Sequence, residues 1–371
     1  MTRADSRSSR SKRSARRPEV KSVNLALQGG GAHGAFAWGV LDRLLEEDAI
    51  AFDGISATSA GAMNAVVCAY GLIEGGREGA RHCLRDFWQQ VARAALLSPL
   101  QPSALDRLTG NRRLETSPAF LLFHMLTQVV SPYELNPLNY NPLLDVLERV
   151  VDFELLRRSP RVKLFLSATN VRSGKIRVFE NHEMSAHVVL ASTCLPFIFQ
   201  AVRIDDDHYW DGGYMGNPAL FPLIYHCESS DIVVVHINPI SRPDVPRTAA
   251  EILNRINEIS FNSSLMREVR AVEFLNRLVD EGRVIAPDIR RVRLHAIEAD
   301  EVMQNLGAAS ETERRLGFPH RTAQDRTQEG GYLAAKRLLE NRSRILHRYP
   351  RTVSVIRGAP STCLTGPTGT L

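Results

Sequence analysis

The chain has no run that approaches the ~18 consecutive apolar residues of a spanning helix, which argues against an integral helical membrane protein. It has no close cysteine pair either. Its five cysteines, Cys68, Cys83, Cys194, Cys227 and Cys363, are odd in number and scattered, and none stands at zinc-ligand spacing with a histidine. That pattern excludes a disulfide framework and a zinc module. It points to a reducing, cytoplasmic setting in which the thiols act as small core residues. A charged body is missing as well. Residues 1–21 carry eight Lys or Arg against two acids, so the +5 net charge of the 371 residues leaves the remaining 350 at −1. A near-neutral body gives no reason to expect nucleic acid as a partner. No internal repeat is visible.

The basic segment, residues 1–21, is rich in Ser and Arg with almost no apolar side chains, and reads as a disordered, solvated tail. Arg16-Arg17 precedes no apolar h-region or cleavage site, because Val23–Leu27 reads as a strand running into glycines; the pair is not read as an export signal. Residues 358–371, rich in Gly, Pro and Thr, read as a second flexible tail.

What the chain does have is concentrated in two short segments. Leu25-Ala-Leu-Gln-Gly-Gly-Gly-Ala-His-Gly-Ala-Phe36 and Asp53-Gly-Ile-Ser-Ala-Thr-Ser-Ala-Gly-Ala62 each read as a buried strand that breaks into a small-residue turn and opens a helix. The second turn carries Ser59, with Ala57 and Gly61 two residues to either side. A serine on such a turn has its hydroxyl thrust outward, with a helix N-terminus behind it that favours developing negative charge. The first turn offers the Gly29, Gly30 and Gly31 amides, which no side chain screens; with the Ala60 N–H they read as donors for a tetrahedral oxyanion. Read alone as G-x-G-x-x-G, the glycine run is also a dinucleotide fingerprint. That reading wants an acid about 20 residues on, at the end of the second strand, where this chain has Ala57-Thr58-Ser59.

These residues resemble the patatin-like phospholipases. The family's glycine loop appears as Gly29-Gly-Gly-Ala-His-Gly34, its G-x-S-x-G elbow as Ala57-Thr-Ser-Ala-Gly61, and its later Asp-Gly-Gly as Asp211-Gly212-Gly213. Ala191-Ser-Thr-Cys-Leu-Pro-Phe197, Tyr209-Trp210 and Asn217-Pro218 also look like the family, and the resemblance covers residues 22–225. Two positions depart from the pattern: Ala57 replaces the elbow's first glycine, and His33 is the loop's basic residue. The resemblance implies an α/β fold, a three-layer patatin-like sandwich with a mostly parallel central sheet, here with a largely helical C-terminal extension. It implies a catalytic pair of Ser59 and Asp211 acting on lipid or acyl esters, with no metal and no organic cofactor. His33, Gly34, Ala57, Gly61, Gly212 and Gly213 support the motifs; His33 either steers anionic headgroups or fills its turn. Peripheral contact with a membrane or lipid surface is compatible with this reading.

Other readings stay open on the residues alone. Asp211 could be a turn residue, since Asp-Gly is a hairpin signal. Asp205-Asp-Asp-His208 could be a metal cluster, although adjacent residues of a strand pair face opposite ways and a solvated turn fits better. An α/β-hydrolase-type esterase or polyester depolymerase would complete a triad with His226, His236 or His295. A non-catalytic lipid-binding scaffold would keep the fold without the chemistry. Phe120–Leu126 reads as a packed helix or as part of a lid over residues 117–133.

Elsewhere Ala60–Leu72 reads as a helix, Asn141-Pro142 as the start of another, and Val162–Ala168, Ile176–Phe179 and Asp231–Ile237 as strands. A helix near Ala186–Ser192, a hairpin through Val202–Trp210, a mostly helical Ala249–Asp280, a strand at Val292–Ile297 and a basic helix at Gly331–His347 complete the pattern. The expected organisation is a tail (1–21), an acyl hydrolase domain (22–225), a part completing the sheet and helical layer (226–357) and a tail (358–371).

Overall fold

The computed structural model describes residues 20–96, 127, 129–242, 244–284, 290–299 and 323–340. Residues 1–19, the Phe120–Leu126 segment with most of the 117–133 stretch, residues 341–347 of the expected basic helix, and 358–371 lie outside the described residues.

Among the described residues eight strands form one mixed sheet. Five are parallel: β1 (Lys21–Leu27), β2 (Ile50–Ala57), β3 (Lys163–Asn170), β7 (Asp231–His236) and β8 (Arg293–Glu298), in the order β3-β2-β1-β7-β8. β7 is buried at every residue and β3 from Leu164 to Thr169, as strands covered on both faces are. Leu25, Leu27, Leu164, Leu166, Val233 and Val235 point into one core with Phe36, Leu84 and Phe87. Ala26, Phe165, Ile232 and Val234 point to the other face, against Leu220, Leu223 and Leu265. Two cores on opposite faces of one sheet make the three layers.

Three antiparallel strands finish the β3 side: β4 (Ile176–Glu180), β5 (Val202–Ile204) and β6 (Asp207–Asp211). β4 occupies one edge of β3 over Phe165–Thr169. Both β2 and β6 must therefore share the other edge, β2 through Ala57 opposite Leu166 and β6 from Asp211 opposite Ala168. The end of β6 thus lies just past the end of β2, and β3 serves as the ruler that spaces them.

On one face α1 (Gly34–Leu45) follows β1, and α2 (Ala60–Leu96) follows β2. The helix expected over Ala60–Leu72 is longer. It leaves helical geometry at Gly75 and Gly76 and then resumes, so the glycine pair interrupts the helix without ending it. After α3 (Pro132–Leu135) comes α4 (Pro142–Val150), which starts where the sequence places it, with the Asn141 side chain accepting the Leu143 N–H at 3.1 Å. α5 (Phe153–Arg158) and α6 (Ala186–Ser192) precede the hairpin, and α7 (Phe221–His226) precedes β7. α8 (Ala249–Asp280) opens with a capping box between Thr248 and Glu251.

α9 (Ala323–Glu340) begins earlier than the expected Gly331 and crosses α1 at two glycines: a Cβ at Gly39 would collide with the Gln328 carbonyl, and one at Gly331 with the Phe36 carbonyl. β7 lies beside β1, so the chain after residue 225 contributes to the middle of the sheet and not only to its edge. No helix among the described residues is long and apolar enough to cross a membrane.

Candidate active site

Ser59 sits where β2 turns into α2, with φ 55°, a left-handed conformation that side chains other than glycine's seldom adopt. Several contacts hold it there. The Ser59 N–H donates to Ser192 Oγ at 3.1 Å, and that hydroxyl donates to the Ser167 carbonyl at 2.7 Å, which ties the turn to α6 and β3. Behind it, a Cβ on Gly61 would collide with the Leu27 carbonyl, so the first turn of α2 packs directly on the end of β1. Ala57, the departure from the elbow pattern, is the last residue of β2, fully buried and paired with Leu27 and Leu166. Its methyl lies in the core, before the turn rather than in it.

The glycine loop runs beside this turn. A Cβ on Gly29 would lie 2.6 Å from the Ser59 Cβ, and one on Gly34 would lie 2.6 Å from the Ala60 Cβ, so only glycine permits the approach. Buried Asn64 joins the two turns, donating to the Gly34 carbonyl at 2.9 Å and the Ala60 carbonyl at 3.1 Å while accepting Trp88 Nε1 at 2.9 Å.

The expectation for Gly29 needs correction. Its N–H is not left for an oxyanion: it donates to Asn217 Oδ1 at 2.7 Å. The Gly30, Gly31 and Ala60 N–H groups have no protein acceptor among the described residues. Their peptide carbonyls are turned elsewhere, the Gly29 carbonyl onto Asn238 Nδ2 at 2.7 Å, the Gly30 carbonyl onto the His33 N–H at 3.1 Å, and the Ser59 carbonyl onto the Ala62 N–H at 2.8 Å. His33 itself is exposed.

Asp211 is the last residue of β6 and is 1% exposed. Its N–H donates to the Cys194 carbonyl at 2.8 Å, its carbonyl accepts Thr169 Oγ1 at 2.8 Å, and its Oδ1 accepts the Gly213 N–H at 2.7 Å. Gly212 has no room for a side chain, since a Cβ there would collide with the Ser167 carbonyl. Burial pushes the Asp211 carboxyl up to about 6, against the opposing pull of the Gly213 N–H and the Ser59 hydroxyl. Oδ2 is buried and makes no complete hydrogen bond. The Ser59 hydroxyl thus lies close enough to oppose the rise without completing a hydrogen bond to Oδ2.

Each of the candidate triad histidines is engaged with another residue of the fold. His226 ends α7 and stacks on Phe165 with ring centroids 5.7 Å apart. His295 binds Asp231 at 2.8 Å, near the ends of the strands remote from Ser59. His236, buried at the end of β7, binds Asn262 Oδ1 at 3.0 Å. The Asp205-Asp-Asp-His208 run is a hairpin: Ile204 pairs with Asp207 across a two-residue turn in which Asp205 has φ 53°. Among the described residues no three His, Cys, Asp or Glu side chains are grouped to hold a metal ion.

Sequence reading missed the residues that hold the turns in place. Ser192 and Asn217 lie in segments already noticed, but nothing local reveals their partners; Asn238 and Asn64 carry no motif at all.

The sheet, with a serine on a strained strand-to-helix turn beside a glycine loop, defines an α/β protein of the acyl-hydrolase type of architecture. The family model for the patatin-like phospholipases matches residues 25–224, more than half of the chain, and the chain belongs to that family. Among solved structures it is similar to VipD from Legionella pneumophila, at 17% identity over 87% of this chain and 67% of that one, with a TM-score of 0.40. It is also similar to the ExoU–SpcU heterodimer from the type III secretion system of Pseudomonas aeruginosa, at 15% identity over 88% of this chain and 72% of that one, with a TM-score of 0.27. No curated protein matches the chain.

Proposed function

We propose that the protein is a serine lipid acyl hydrolase in which Ser59 is the nucleophile and Asp211 its only base. One observation carries the reading: a half-buried serine held at φ 55° faces a buried carboxyl whose titration burial has moved up to about 6. A carboxylate of that strength is ionised at neutral pH yet is a far better base than an exposed aspartate, which titrates near 4.

The steps follow from this pair. Ser59 Oγ attacks the ester carbonyl carbon while its proton passes to Asp211, and the carbonyl oxygen becomes an oxyanion held by the Gly30, Gly31 and Ala60 N–H groups. Collapse restores the carbonyl and expels the alcohol, which takes the proton back from Asp211. A water molecule, deprotonated by the same carboxylate, then attacks the acyl-serine, and as the fatty acid leaves, Ser59 Oγ takes that proton back from Asp211. Neither a metal nor an organic cofactor takes part. The engagement of His236 with Asn262, of His295 with Asp231 and of His226 with Phe165 supports the pair over a triad.

Within this reading residues 22–225 hold the reacting groups, the later strands β7 and β8 complete the sheet beneath them, and a lipid interface is the surface on which the protein works. Ser59→Ala tests the reading. It removes one oxygen from a turn that already favours small residues, so thermal unfolding should stay near wild type while ester turnover and labelling by a fluorophosphonate probe disappear. Turnover persisting in a folded Ser59→Ala protein removes Ser59 from the mechanism. A wild-type protein that the probe never labels favours the non-catalytic scaffold.

A further inference from the structure

The 2.7 Å hydrogen bond from Asn238 Nδ2 to the Gly29 carbonyl acts on the other end of the same peptide. A trans peptide is planar, and its C=O and N–H point in opposite directions. The Gly29 carbonyl and the Gly30 N–H belong to one such plane, so whatever holds the carbonyl also aims the amide. The sheet order sets the direction. β1 runs between β7 and β2; Asn238 follows β7 on one side of it, and Ser59 follows β2 on the other. A carbonyl drawn toward the β7 side sends its N–H toward the Ser59 side.

We propose that Asn238 is a positioning residue for the oxyanion site, which locks the Gly29–Gly30 peptide with the Gly30 N–H turned toward the nucleophile. This rests on the reading of Gly30 as an oxyanion donor. The other two donors are locked by backbone alone, since the Gly30 carbonyl accepts the His33 N–H and the Ser59 carbonyl accepts the Ala62 N–H. The Gly29–Gly30 unit is the one whose lock is a side chain. It also joins two glycines, the residues with the least steric barrier to a peptide flip. A flip there would point a carbonyl oxygen at the developing negative charge and turn attraction into repulsion.

Asn238 is itself braced. Its N–H and that of Ile237 donate to Gln28 Oε1 at 2.8 and 2.7 Å, its carbonyl accepts Asn262 Nδ2 at 3.3 Å, and Gln28 Nε2 donates to Asn262 Oδ1 at 2.8 Å. Gln28 is fully buried and Asn262 is 6% exposed, so the network behind the loop works in a low-dielectric setting where matched polar groups hold geometry firmly.

Two substitutions test the proposal in the full-length protein. Asn238→Asp keeps the size but replaces the donor with an acceptor facing the Gly29 carbonyl; Asn238→Ala removes the donor without adding charge and carries the test should the first variant fold poorly. On a soluble short-chain ester, kcat should fall by about 10²- to 10³-fold for Asn238→Asp, the scale of one lost oxyanion donor, and by less for Asn238→Ala. KM should stay within severalfold of wild type, and inactivation by a fluorophosphonate, whose adduct places an oxygen in the same hole, should slow by the same factor as kcat. Folded variants with wild-type turnover and wild-type inactivation rates overturn the role of Asn238 alone. So does a fall in melting temperature with turnover per folded molecule intact, which marks a purely structural contact. Absence of fluorophosphonate labelling in the wild-type protein brings down the hydrolase reading and this one with it.

Discussion

Replacing Asp211 with asparagine should abolish hydrolysis and stabilise the protein, and the stabilisation should depend on pH in a calculable way. The carboxyl titrates at about 6 in the folded protein against 3.8 unperturbed, because burial penalises its charged form. A difference of about 2 pKa units is worth ~3 kcal/mol at 1.36 kcal/mol per unit, with no discount for solvent because the side chain is buried. The sign follows from linkage. The folded-state pKa is the raised one, so the protonated acid is favoured by folding. Its stability is fully present below pH 4, is lost as pH rises through 6, and stays lost above it. Asparagine has the same shape without the charge. Its Oδ1 can keep the 2.7 Å bond from the Gly213 N–H, and its Nδ2 replaces the Oδ2 that now has no partner.

Urea denaturation of both proteins at several pH values between 4 and 8 measures the effect. The variant's stability relative to wild type should rise by ~3 kcal/mol from the acid end to the neutral end. A difference that stays flat across this range would refute the reasoning, since it would mean that Asp211 is not buried as a charge. In kinetics, wild-type kcat/KM should show an acidic limb near 6. Burial has moved this carboxyl close to the ordinary range of histidine, so the position of the limb does not by itself separate a carboxylate from an imidazole. Its temperature dependence does, because carboxylate ionisation is nearly athermal and imidazolium ionisation is not.

Two further substitutions probe the supports. Ser192→Ala removes the acceptor for the Ser59 N–H and the donor to the Ser167 carbonyl, so denaturation should show a loss of about 1–3 kcal/mol and turnover should fall with it; an unchanged variant would mean that the serine turn holds itself. Ala57→Gly restores the glycine of the family's elbow pattern, yet it should leave turnover within severalfold of wild type and cost roughly 0.5–1 kcal/mol, the usual penalty of glycine inside a strand. A large gain in turnover would show that the methyl strains the turn after all.

The two strand-to-helix turns are legible in the sequence because their parts are local. A buried run, a small-residue turn and a helix start are consecutive in sequence, so both turns could be placed, and the Asn141-Pro142 helix start and the Asp205-Asp206 turn were readable for the same reason. What holds the turns in place was not. Ser192 reaches Ser59 across 133 residues, Asn217 reaches Gly29 across 188, and Asn238 reaches Gly29 across 209. Bonds at such separations follow from sheet order and have no local spacing. For the same reason the sequence offers Gly29 as a donor: its glycine character is visible, and the side chain that occupies its N–H is not. α2 runs well past the expected end at Leu72, because the helix resumes beyond the break in helical geometry at Gly75 and Gly76.

The site's place in the sheet follows from what it must offset. A non-glycine residue at φ 55° is strained by about 1–3 kcal/mol, and a buried carboxylate adds a penalty of similar size. Both persist only where the surroundings over-determine them. The ends of β1 and β2 meet that condition, since β7 and β3 flank them and Leu25, Leu27, Ile55 and Ala57 are wholly buried. An edge strand would have let the serine turn relax. Asp211, by contrast, needs an antiparallel strand that ends beside β2, and the shared edge of β3 supplies it, with Ala57 opposite Leu166 and Asp211 opposite Ala168. Two β3 residues of offset thus bring Asp211, 152 positions away in sequence, to the side of the sheet where Ser59 lies, as the proposed pairing of base and nucleophile requires. On the proposed reading the same rigidity fixes the oxyanion amides before any substrate arrives, so that the reorganisation water would need in the reaction is already complete in the fold.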